Sequence, residues 1–419
     1  LRKLAYPLIQ LTSMQNSSAP SSTSPSSGRT AIQGAGLLIV GILLIAANLR
    51  APVTGVGPLL GLLQQAFGLG AGAAGLLVTL PLLCFALVSP LSAWAARDLG
   101  LERTLFLALA LIAAGIVLRS AGSLTALLVG TCVIGCGIAA GNVLLPSLLK
   151  RDFPDDMTRL TAIYAITMGG ASALGSVCAV PLAQALGWSW ALTAFIVLPL
   201  AAMLAWLPQL RRHTAPASAS RARGGAMWRS ALAWQVTLFL GFNSFVYYVV
   251  TAWLPSILSA SGYSAVAAGN LHGLLQLASA LPGLLLVPLV RRLKDQRLLA
   301  AGMAACTVLS VLGLIAAPGL AMAWVPLFGF GTGAVFILGL SFVGLRVATP
   351  QQAAALSAMA QSVGYLMAAT GPSLVGRIHD AAGNWNLVLG ICALLSVLMG
   401  IFGMLAGRAG KVIGAAHTG

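Results

Sequence analysis

The sequence predicts an all-α membrane protein of twelve transmembrane helices in two pseudo-symmetric six-helix bundles, and three observations lead there. The 419 residues are 59% hydrophobic and only 7% charged, with a mean hydropathy of +0.96, whereas soluble domains carry about a quarter of charged residues. The apolar runs are long and continuous, matching the roughly 20 residues that cross a hydrocarbon core about 30 Å thick rather than the short alternating segments of a β-barrel. The second half of the chain also rhymes with the first.

Residues 1–33 open with "LRKLAYPLIQL", too short and proline-broken to span, followed by the Ser/Pro-rich "TSMQNSSAPSSTSPSSGRT". This composition predicts a disordered tail. Because the first methionine is Met14, residues 1–13 read as lying upstream of the true start. Apolar runs between charges then place helices near 35–62, 73–96, 102–120, 123–149, 158–185 and 188–207, and near 230–259, 264–290, 297–317, 320–346, 352–378 and 385–407. The expected domains are a bundle at 34–207, a linker at 208–230, a second bundle at 231–407 and a tail at 408–419. The linker, "PQLRRHTAPASASRARGGAMWRS", has the composition of a loop and lies midway along the chain.

A net charge of +16 would suggest nucleic acid in a soluble protein, but here the cations sit in the short joints. Arg97 and Arg103 follow helix 2, Lys150, Arg151 and Arg159 follow helix 4, and Arg291, Arg292, Lys294 and Arg297 follow helix 8. The alternate joints hold little beyond Arg119 and Arg377. The positive-inside rule therefore puts both termini in the cytoplasm, with the bilayer as partner and no nucleic acid. All six cysteines lie inside apolar runs without a CxxC pair and read as packing residues, so neither disulfide nor metal is expected.

The halves repeat at an offset of 196, Pro154 with Pro350, Leu160 with Leu356, Gly175 with Gly371 and Gly187 with Gly383. Helices 4 and 10 share glycine triplets, Gly135, Gly137 and Gly141 against Gly329, Gly331 and Gly333. Small residues at such spacing let backbones approach closely in lipid. Parallel six-helix repeats that rock about a central site are a transporter plan.

On "NLRAPVTGVGPLL", "GNVLLPSLLKRDFP", "WLPQL", "AWQVTLF", "ALSAMAQSVGYL" and "GPSLVGRIHDAAGNW", the chain resembles the cyanate and nitroimidazole (CynX/NimT-type) transporters of the major facilitator superfamily over about residues 35–407. The resemblance implies the major facilitator fold, a bacterial inner-membrane location and a small-molecule solute, cyanate on one branch and a nitroimidazole on the other. A monomer without cofactor is expected. The superfamily's usual aspartate and basic residues after helix 2 are exchanged in "SAWAARDLGLERT", where Arg97, Asp98 and Arg103 stand as candidates for a cytoplasmic gate.

Candidate site residues follow from polarity out of place. Arg50 lies inside helix 1, about 22 Å along it, at a cost of roughly 2.5 to 3.5 kcal/mol on insertion scales. All seven acidic residues lie in joints or at helix ends. Either the guanidinium snorkels or bonds carbonyls freed by Pro52 and Pro58, or its counter-charge is a transported anion held by the guanidinium fork. Asn48 and Asn142 each precede a proline by four residues, which admits local helix repair as well as substrate contact; Thr54 shares the face of Arg50.

Helix 7 carries Gln235, Phe239, Asn243, Tyr247 and Thr251 every four residues, a stripe suited to a cavity or a helix contact, with Tyr248 and Trp253 off that line. Helix 11 offers Ser357, Gln361 and Tyr365, and helix 8 offers Gln276 and His272. His272, well inside a span, is either a hydrogen-bonded structural histidine or a proton-coupling group. Walker, GxSxG and HExxH motifs are missing, so no enzymatic reading gains support.

The function expected is secondary transport of a small anion such as cyanate by alternating access. Export of a small aromatic, stacked by Phe239, Tyr247, Tyr248 and Trp253, is the alternative. A solute sensor without transport is the alternative from another class.

Overall fold

The computed structural model describes residues 26–153, 156–211, 224–293 and 295–408. The expected N-terminal tail up to 25, the centre of the linker (212–223) and the C-terminal tail from 409 lie outside the described residues. Twelve helical units follow in order. α1 comprises Ser26–Asn48, Ala51–Thr54, a 3-10 turn Gly57–Leu59 and Leu60–Phe67; α2 comprises Ala71–Ala74 and Leu76–Leu99. α3 is Leu101–Arg119, α4 Leu124–Asp152 and α5 Met157–Leu186; α6 is Trp188–Thr193, a 3-10 turn Ala194–Ile196 and Val197–Trp206. In the second half α7 is Ala231–Ala260, α8 is Ala265–Ala280 followed by Pro282–Arg292, α9 is Arg297–Ala316, α10 Ala321–Leu345, α11 Pro350–Ala382 and α12 Asn386–Ala406.

The first helix starts at Ser26, ahead of the tail boundary expected at 33. Once a span is nucleated each added residue gains a backbone bond, so a polar Ser/Gly/Arg lead-in can continue the helix. Four later starts, those of α4, α7, α8 and α11, are set by side-chain caps. The hydroxyls of Ser123, Ser230 and Ser264 accept from the backbone N–H three residues on. Thr349 accepts from Gln352 N while Gln352 Oε1 accepts from Ala348 N, a reciprocal closure of the α11 start.

Among the described residues, ten segments are long and apolar enough to cross a membrane. The two units outside that set are α8, divided at Leu281 ahead of Pro282, and α11, whose 33 residues include Gln351, Gln352, Ser357, Gln361 and Thr370.

Packing repeats with the sequence. α1 packs on α5 and α6, α3 on α4 and α2 on α4; six helices later α7 packs on α11 and α12, α9 on α10 and α8 on α10. The paired glycines explain part of this. A Cβ at Gly137 would come within 2.5 Å of Ala108 O on α3, and one at Gly331 within 3.1 Å of Thr307 N on α9. Close packing of the helices is therefore built on the repeat.

The halves meet through α2 against α11 and α5 against α8. Asp380, near the end of α11, accepts from Ala71 N and Gly72 N, each at 3.0 Å, at the start of α2. Deeper in, Thr79 donates to Ala369 O at 2.8 Å and lies 3.2 Å from Ser373 Oγ. His272 Nδ1 on α8 lies 2.9 Å from Ser176 Oγ on α5. These hydrogen bonds all lie toward the arginine-poor face, the one that carries the joints after odd-numbered helices.

The opposite, basic face holds latches inside each half. Arg151 pairs with buried Glu102 at 2.8 Å and with Asp152 at 2.6 Å. In the second half Arg346 donates to Gln296 Oε1 at 2.6 Å and to the carbonyls of Ala406 and Gly407, and burial holds its guanidinium below the ordinary range. Each arginine ties the end of α4 or α10 to the start of α3 or α9. The candidates Arg97, Asp98 and Arg103 are exposed and form no ion pair among the described residues. The buried acid beside them, Glu102, is instead taken by Arg151.

Candidate functional site

The site begins at a fault in α1. Pro52 has no N–H to give and crowds the preceding turn, and the helix stops at Asn48 and restarts at Ala51. Past it the backbone tightens, with Val56 N bonding Val53 O at 3.2 Å. Arg50 stands at this break with φ −131° and ψ −47°. Its carbonyl accepts from Val53 N, Thr54 N and Thr54 Oγ1, and Ser172 of α5 donates to the same Thr54 hydroxyl at 2.7 Å. The fault is thus pinned to α5.

The Arg50 side chain reaches a central cavity of about 300 Å³ lined by α1, α2, α4, α5, α7, α8, α10 and α11. Its guanidinium lies over the Tyr247 ring, 5.3 Å from the centroid, and makes no hydrogen bond or ion pair among the described residues. A cation on the face of a phenol ring is held by the ring quadrupole, an attraction that leaves its N–H donors open.

Four of the six tyrosines wall this cavity, Tyr164, Tyr247, Tyr248 and Tyr365, together with Phe85 and Phe336. Tyr247 and Tyr248 meet edge to face at 5.3 Å, as do Phe85 and Tyr365 at 5.8 Å. The Tyr247 hydroxyl donates to Gln276 Oε1 of α8 at 2.8 Å. Thr54, Asn142, Asn243, Ser244, Thr251 and Thr332 supply the polar lining. Asn243 is 3% exposed and its Oδ1 is buried without a hydrogen-bond partner among the described residues.

Of the sequence-predicted residues, Arg50, Thr54, Asn142, Asn243, Tyr247, Tyr248 and Tyr365 come together here. Asn48 does not: it is fully buried and its amide donates to Leu44 O at 2.8 Å, one turn back within α1. Gln361 is exposed and donates to Ser357 Oγ one turn back, away from the cavity. His272 is fully buried behind the wall. Its Nε2 lies 3.0 Å from Thr251 O, an acceptor, so that nitrogen carries the hydrogen.

The aromatic cluster expected for a stacked solute is also redrawn. Phe239 packs on Phe342 and Trp253 donates to Pro372 O, both fully buried outside the lining. Tyr164, Phe85 and Phe336 take their place. A lone aromatic in an apolar run looks like core, and the signal that would have found Tyr164 is the scarcity of tyrosine itself.

Arg119 was the other residue missed, read from the sequence as an exception to the charge pattern. It is 1% exposed, donates through Nη1 to Pro52 O at 2.6 Å and through Nη2 to Leu192 O at 3.4 Å, and lies over Phe195 at 5.8 Å.

An aromatic-walled cavity between two repeated bundles is a candidate solute site, and comparison with known proteins gives the family of the chain. The profile of the Major Facilitator Superfamily matches residues 38–372. This chain belongs to the Major Facilitator Superfamily. Within it, the chain is 56% identical over 377 residues to the 2-nitroimidazole transporter of Escherichia coli strain K12, covering 89% of this chain and 95% of that one. It is 28% identical over 357 residues to the cyanate transport protein CynX of the same organism, covering 83% and 91%. The crystal structure of a D-xylose-proton symporter superposes with a TM-score of 0.72 at 15% identity, over 90% of this facilitator and 99% of the symporter, a likeness of fold.

Proposed function

We propose that this facilitator carries a small planar aromatic solute with an electron-rich end, of the nitroimidazole type, by alternating access through the central cavity. The observation that carries the reading is the Arg50 guanidinium, its donors unengaged among the described residues, over Tyr247 in an aromatic-walled space. A nitro or carboxylate group supplies paired oxygens that match the guanidinium fork, while the four tyrosines offer ring edges and faces to a flat solute. Cyanate would also satisfy the charge, but about 300 Å³ is far more room than a triatomic anion fills. The greater identity to the 2-nitroimidazole transporter than to the cyanate protein supports the same choice. The basic joints support a reading with both termini on the cytoplasmic side of a bacterial inner membrane. With the halves joined toward the arginine-poor face, the cavity is then closed to the outside.

Flux of 2-nitroimidazole and of cyanate in proteoliposomes tests the proposal. The expected outcome is saturable 2-nitroimidazole flux that Arg50→Ala reduces about tenfold or more, the equivalent of one charge-assisted hydrogen bond. Cyanate flux with no nitroimidazole flux, or an Arg50→Ala protein with unchanged kinetics, would overturn it.

A further inference from the structure

We infer that Arg119 is a positioning residue for solute recognition, holding the α1 fault so that Arg50 stays aimed into the cavity; this rests on the proposed role of Arg50. A permanent cation has been buried near the arginine-poor end of α3. It has no carboxylate within ion-pair distance among the described residues, and its Nε is buried without a partner. Desolvating a guanidinium is costly. Simple helix packing gives no reason to bear that cost.

The partners give the reason. In an uninterrupted helix Val56 N would bond Pro52 O; here Val56 N bonds Val53 O, which frees the Pro52 carbonyl inside the protein. A buried acceptor without a donor is destabilising, and Arg119 Nη1 supplies one at 2.6 Å. Its second contact, Leu192 O, comes just before the 3-10 turn Ala194–Ile196 that interrupts α6. The guanidinium plane is backed by Phe195 from that turn. One side chain of α3 therefore ties the irregular points of α1 and α6 together.

Pro52 lies two residues beyond Arg50 in the four-residue helix Ala51–Thr54. That helix is gripped from both sides, by Arg119 at Pro52 O and by Ser172 at Thr54 Oγ1. Losing the first grip lets the short helix rotate or lengthen, and the first thing displaced is the side chain at its start.

A double-mutant cycle on KM for 2-nitroimidazole flux, using Arg50→Gln and Arg119→Gln, tests this. The Arg119→Gln substitution retains an N–H donor but removes the charge and the second contact. It should raise KM about tenfold in the wild-type background, one charge-assisted hydrogen bond's worth, and leave it unchanged in the Arg50→Gln background. Additive effects, or an unaltered KM with lowered thermal stability, would overturn the inference. If Arg119→Gln does not fold, Arg119→Lys, which keeps the charge but loses the two-armed fork that reaches both carbonyls, is read in the same cycle against the same two outcomes. An Arg50→Gln protein with normal KM would instead refute the proposed function, so the two failures are distinguishable.

Discussion

At the scale of single residues, the candidate site centres on an arginine that meets no carboxylate among the described residues. The Arg50 guanidinium is oriented by a ring face rather than by a carboxylate, which keeps its donors available. Tyr247 does two jobs, and they are separable. Tyr247→Phe keeps the ring under Arg50 but leaves Gln276 Oε1 buried without its donor. The expected result is a loss of about 1 to 3 kcal/mol in thermal stability with KM changed less than about twofold; a KM change as large as that of Arg50→Ala at wild-type stability would contradict this division. Arg50 was legible in the sequence because charge inside an apolar run is conspicuous. Arg119 was not, since it sits at a helix end where a basic residue has an ordinary explanation, and only the fold brings Pro52 O and Leu192 O to it. Asn48 and Asn142 looked alike, each four before a proline; their directions separate them, one into α1 itself and one onto the cavity.

At the scale of elements, the helix 7 stripe divides between two surroundings for a physical reason. Asn243, Tyr247 and Thr251 line the cavity, whereas Phe239, on the same face, is fully buried against Phe342 on the second bundle's own core. A stripe read every four residues drifts around a helix of 3.6 residues per turn, so its ends need not share one neighbour. The contact of α11 with α2 was beyond sequence reasoning, because it joins residues about 300 apart. Asp380 caps two backbone N–H groups across the two halves, at the positive end of α2. Asp380→Asn replaces one acceptor oxygen with a donor facing an N–H. It should shift the population toward separation on the arginine-poor face by about tenfold or more. Labelling of Thr79→Cys by a membrane-impermeant thiol reagent, in a background without the native cysteines, would rise accordingly; equal labelling with and without Asp380→Asn would reject this role.

At the scale of the whole molecule, the repeat seen in the sequence is the repeat seen in the packing, down to two glycine pairs, Gly135 with Gly329 and Gly137 with Gly331, that face equivalent helices. Transport by rocking requires the seam between the halves to part. Thr79 and Ser373, whose oxygens are 3.2 Å apart across it, offer a direct check. A Thr79→Cys/Ser373→Cys protein should form a disulfide, since the separation suits the bond's short reach, and lose flux until reduced. Flux that survives oxidation would mean that the seam does not open. The unit least suited to lipid, α11 with its polar run, is the one that the second bundle sets against α2 of the first. During synthesis it leaves the ribosome as a segment that hydrocarbon alone accepts less readily than its neighbours. Its entry into the bilayer is then eased by a partner already in place, which ties biogenesis of the second bundle to the first.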